Sequence, residues 1–88
     1  MDQDNDKVMY DYADRFIDLA NEIAKSDRSG TVGVAMRFAA ARYSAYEASM
    51  RTNNLAEEKD KQLQDFADDF RNMLEYNIED YIETLSQK

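Results

Sequence analysis

The sequence predicts an all-α protein: an antiparallel three-helix bundle with a long C-terminal helix, assembled as a dimer. Three observations lead there. The 88 residues include no Pro and two Gly, so little in the chain interrupts a helix. Apolar residues recur every three or four positions through three successive segments, the spacing that places them on one helix face. Two short polar breaks, "SDRSGTVG" and "TNNLAEE", separate the segments and are short enough to set neighbours antiparallel.

The first helix is expected over about residues 5–25. Asp4, Asn5 and Asp6 offer N-caps and place negative charge at the positive end of the helix dipole. Val8, Tyr12, Phe16, Leu19 and Ile23 fall on one half of the cylinder, while Asp11, Asp14, Asp18 and Glu22 share the other. The second helix is expected over about residues 32–52, after a turn in which Gly30 takes a positive φ and Ser29 or Thr31 caps. Its apolar arc, which includes Val34, Phe38, Tyr43, Tyr46 and Met50, covers roughly two-thirds of the circumference. Such an arc requires neighbours on more than one side, and its many alanines let them approach closely.

The third helix is expected over about residues 55–86, with Asn54 as N-cap and Glu57 three residues on in a capping-box pattern. Leu63, Phe66, Phe70, Met73, Leu74, Ile78, Tyr81, Ile82 and Leu85 carry its stripe nearly to the end of the chain. At 1.5 Å per residue it would be about 48 Å long, against about 30 Å for each of the others. The polar opening "LAEEKDK" is expected to be solvated. The whole chain reads as one helical domain, residues 1–88, without repeat or linker.

Composition excludes several chemistries. There is no His or Cys, which removes disulfides, thiolate and imidazole catalysis, most zinc sites and the Glu-x-x-His motif of di-iron bundles. Gly30 and Gly33 lack the pattern and the lysine of a phosphate loop. Asp2, Asp4 and Asp6 mimic the start of a calcium loop, but Lys7 and Ala13 occupy its glycine and glutamate positions, so the segment is an acidic cap. No catalytic role, metal or cofactor is expected. "MDQDNDK" lacks the apolar core of a signal peptide, and no apolar run nears the roughly 20 residues that cross a bilayer, so a cytoplasmic protein without membrane contact is expected.

A net charge of -8 argues against direct nucleic-acid binding. Its distribution says more. Residues 1–26 carry seven acids and three bases, 27–54 two acids and four bases, and 55–88 ten acids and four bases. A basic middle segment between two acidic ones favours packing the middle helix against its neighbours.

Two polar residues interrupt the stripes. Arg42 falls inside the arc of the second helix, within "RFAAARYSAY", and Asn77 inside that of the third. A guanidinium buried there needs acceptors, and Asn77, Asp80, Glu22, Tyr12, Tyr46 and Tyr81 are the candidates. Arg42, Asn77, Tyr12, Tyr46 and Tyr81 therefore form either a buried polar cluster that fixes helix register or an anion subsite.

"YADRFIDLANEIAK", "VGVAMRFAAARYSAYEA" and "RNMLEYNIEDYIETL" together resemble domain-of-unknown-function family 3144, small proteobacterial proteins without assigned activity. The resemblance spans about residues 10–85 and rests most on "LAN" at Leu19 to Asn21, "AAARY" at Ala39 to Tyr43 and "ML" followed by Asn77. It implies a cytosolic bacterial helical protein in which Arg42, Tyr43 and Asn77 belong to the family pattern. The expected function is a non-catalytic protein–protein interaction module that self-associates and binds an unidentified protein, through the basic strip near Arg37, Ser44 and Arg51 or the acidic face of the third helix. Two alternatives stand beside it. One is an acidic mimic of nucleic acid built on Asp65, Asp68, Asp69, Glu75, Glu79 and Glu83; the other is a small-anion sensor using Arg42.

Overall fold

The computed structural model describes residues 3–87. Helix α1 spans Gln3–Ala24, α2 spans Thr31–Arg51 and α3 spans Leu55–Ser86, and among the described residues there is no strand. The third pair of boundaries matches the sequence expectation, and the second differs by one residue at each end. Helix α1 starts earlier than expected. Asn5 and Asp6 therefore lie inside its first turn rather than capping it, as does the backbone of Asp4, and the N-terminal side chains of the acidic cap, from Asp2 to Asp4, fall outside the description.

The chain divides into two compact units, Met1–Tyr43 and Ser44–Lys88, with the division inside α2. In the first unit, α1 ends in a tightening turn: the Ser26 N–H donates to the Ile23 carbonyl and the Asp27 N–H to that of Ala24. Asp27 then organises the connection. Its carboxylate accepts from the Ser29 N–H at 2.9 Å and from the Ser29 hydroxyl at 2.6 Å. Ser29 Oγ in turn accepts from the Thr31 N–H at 3.2 Å, satisfying one of the first amides of α2. Gly30 adopts φ +91° as the spacing predicts, immediately ahead of α2, where a side chain would strain the backbone. The least exposed α1 positions, Asp6, Ala13, Ala20 and Ala24, lie along one side of the helix.

In the second unit the cap on α3 forms as expected on one side. Asn54 Oδ1 accepts from the Glu57 N–H at 3.2 Å. The reciprocal half of a capping box is absent among the described residues, because the Asn54 N–H donates to Thr52 Oγ1 at 3.1 Å instead. The threonine is two residues away and needs no reach from a longer glutamate side chain.

Apolar patterning differs among the helices in the way the sequence indicates. Helix α1 is the most one-sided and α2 the least, consistent with its broad arc. Burial is sparse. Among the described residues Ala48 is the one buried hydrophobic side chain, and twenty-four large hydrophobic side chains are exposed, so the single chain does not cover its own stripes. No helix is long and apolar enough to cross a membrane.

Candidate functional site

Two places carry the molecule's unusual chemistry. The first is the corner where the end of α2 meets the start of α3, within the second unit. Ala48 is 6% exposed and Gln62 8%, and Ser44, Glu47, Thr52, Glu58 and Phe66 are half-buried around them in the same unit. The Arg51 guanidinium lies 4.5 Å from the centroid of the Phe66 ring, a cation–π contact between the two helices. Gln62 Oε1 is buried without a hydrogen-bond partner. An orphaned buried carbonyl costs about 1–3 kcal/mol.

Lys61 lies beside this corner and donates to Asp65 at 2.7 Å. That hydrogen bond, with the Asp65 and Glu58 charges, holds the ammonium above its usual pKa, against the opposing Arg51 charge. The opening "LAEEKDK" was expected to be solvated, and this is corrected at Glu58, which is half-buried. The three residues joining the helices hold the end of α2 close to the start of α3.

The second place is the pair of polar interruptions. Arg42 and Asn77 are both exposed, as are Tyr12, Tyr46 and Tyr81. Each of the five therefore meets water in the single chain. An exposed guanidinium keeps its hydration and has no desolvation cost to offset. Local contacts reach three of them. Asn77 Nδ2 donates to the Met73 carbonyl at 2.8 Å, Arg15 sits 5.4 Å from the Tyr12 ring centroid, and the Tyr46 carbonyl accepts from Ser49 Oγ at 2.6 Å. Among the described residues the Arg42 guanidinium makes no hydrogen bond or ion pair.

Sequence reasoning found the two interruptions and missed the corner. The signal available for the corner was the shortness of "TNN", which holds the two helix ends near each other; Arg51, the last residue of α2, reaches Phe66 three turns into α3. From Asp65 to Glu83 the carboxylates of α3 are exposed, with Asp65 tied to Lys61 and Asp68 accepting from Gln64 at 2.8 Å. The two stripes are thus exposed in the single chain, and each has one polar residue set in it.

The chain matches the family model described as a protein of unknown function, DUF3144, over residues 9–82, and belongs to that family. No curated protein matches it, and no solved structure does.

Proposed function

We propose that this member of the family is a non-catalytic protein–protein interaction module whose first partner is itself. One observation carries the reading: the apolar faces that should form a core are exposed in the single chain, with Ala48 the one buried hydrophobic residue among those described. Monomers rarely keep contiguous apolar surface of this extent in water, and a second protein surface is the usual cover. On this reading the antiparallel bundle implied by the short connections is completed by helices from another copy, and the cytoplasm is its compartment. Sedimentation equilibrium across micromolar concentrations tests it. A mass of two or more chains is expected; a fully helical monomer at every concentration overturns it.

A second reading, the acidic mimic of nucleic acid, draws on the exposed carboxylates that line α3 from Asp68 to Glu83. It predicts capture of a basic nucleic-acid-binding protein that is lost steeply as salt is raised. Salt-resistant capture excludes it.

A further inference from the structure

We infer that the apolar stripe of α3 in one copy is covered by the α2 face of a second copy, with each Arg42 guanidinium donating to the Asn77 carbonyl oxygen of the other chain. The inference rests on self-association and adds which surfaces meet. Helix α2 has two sides. One carries Gly33, Ser44, Glu47 and Ala48, which are partly or wholly covered. Opposite them, Ala35, Phe38, Ala39, Arg42 and Tyr46 share an exposed face with Arg42 at its centre. On α3, Leu63, Ala67, Phe70, Leu74, Asn77 and Tyr81 follow the alternating four-and-three spacing of a helix-pairing seam, again with one polar member and again exposed.

Charge selects which helix covers α3. From Leu63 to its end, α3 carries seven carboxylates against Arg71 alone, so two α3 helices side by side would repel strongly. Helix α2 carries Arg37, Arg42 and Arg51 against Glu47; Arg42 lies on the exposed face, while Arg37, beside Gly33, and Arg51, over Phe66, lie on the covered side and add to the positive charge of the helix as a whole. It is the one basic helix in the sequence, and its alanines permit close approach. The two polar interruptions also fit each other. Asn77 commits its amide N–H to the Met73 carbonyl, which leaves Oδ1 as an outward acceptor. Arg42 supplies donors and nothing else. A two-fold arrangement makes the contact twice.

The chain has no cysteine, so single thiols report contacts directly. Arg42→Cys and Asn77→Cys chains, tagged to differ in mass, are mixed and treated with a short bismaleimide. Unlike chains are expected to cross-link in preference to like ones. Dominant Asn77→Cys self-linking, an intrachain link in the double variant, or no link at all overturns the inference while leaving a dimeric wild type, and with it the self-association reading, intact; a monomeric wild type overturns both. In parallel, Arg42→Glu is expected to weaken association on the order of thirtyfold. Mixing it with Asn77→Arg should restore a heterodimer. Failure of that rescue, with both chains helical by circular dichroism, also counts against the pairing.

Discussion

The corner between α2 and α3 and the remainder of α3 belong to the same unit and are built from the same residue types, yet they solve different problems. At the corner a three-residue connection holds two helix ends together, and Ala48, Gln62 and the Arg51–Phe66 contact fill the angle. Beyond it, from Leu63 to Leu85, a long amphipathic stripe meets water. Chain connectivity therefore buries what lies next to a turn at little entropic cost, whereas surface far from any turn gains no cover from connectivity. The corner sets a local angle; on the reading proposed above the stripe sets the association.

The comparison is broken most severely in the stripe. Leu74→Asp is expected to abolish association and lower helicity together, because each copy loses about 2 kcal/mol of apolar burial and gains a carboxylate at the seam. Light scattering and the 222 nm ellipticity should fall in parallel, and an unchanged mass would mean that α3 is not the association surface. Ala48→Leu probes the other region. Overpacking the corner should destabilise by about 1–3 kcal/mol in chemical denaturation while leaving the association constant of the folded protein largely unchanged.

Gln62→Met sharpens the contrast in the opposite direction. Removing the orphaned carbonyl at nearly constant volume should raise the melting temperature, by an amount equivalent to about 1 kcal/mol. A fall would show that Oε1 is satisfied in solution. Asn54→Ala removes the α3 cap at the edge of the same corner and should cost about 1 kcal/mol, with hydrogen exchange accelerating first at Glu57.

The smallest effects are those of pH. The Ser29 hydroxyl and N–H hold the Asp27 carboxyl below its usual value of 3.8. A lowered folded pKa gives stability that is present above about pH 4 and is lost as pH falls through the folded value. Lys61 has the opposite sign: its contribution is complete below the ordinary lysine value of 10.5 and disappears as pH rises through the raised one. Neither group is buried, so NMR titration rather than melting is the suitable measurement. An Asp27 midpoint at or above its unfolded value would contradict the Ser29 contacts.

Much of this was legible in the residues themselves. The 3.6-residue recurrence of apolar side chains set three helices, Asn54 marked the start of α3 and Gly30 the positive φ, because each depends on backbone geometry within a few residues. The positions that were not legible are those whose fate depends on distant atoms. Gln62 lies just past the polar opening of α3, and nothing in its own helix marks it as buried. Arg42 and Asn77 have apolar neighbours on the wheel, but an apolar neighbourhood on one helix does not supply the second surface that would enclose them.

The sequence by itself determined the three helices, the ends of the second and third to within a residue, and which face of each is apolar, since hydrogen bonding along a helix and the direction of its side chains are local properties. Tertiary structure alone decided that Ala48 and Gln62 are covered while the stripes stay in contact with water. The reason is that burial is a property of two surfaces, and one strand of pattern specifies only the first of them.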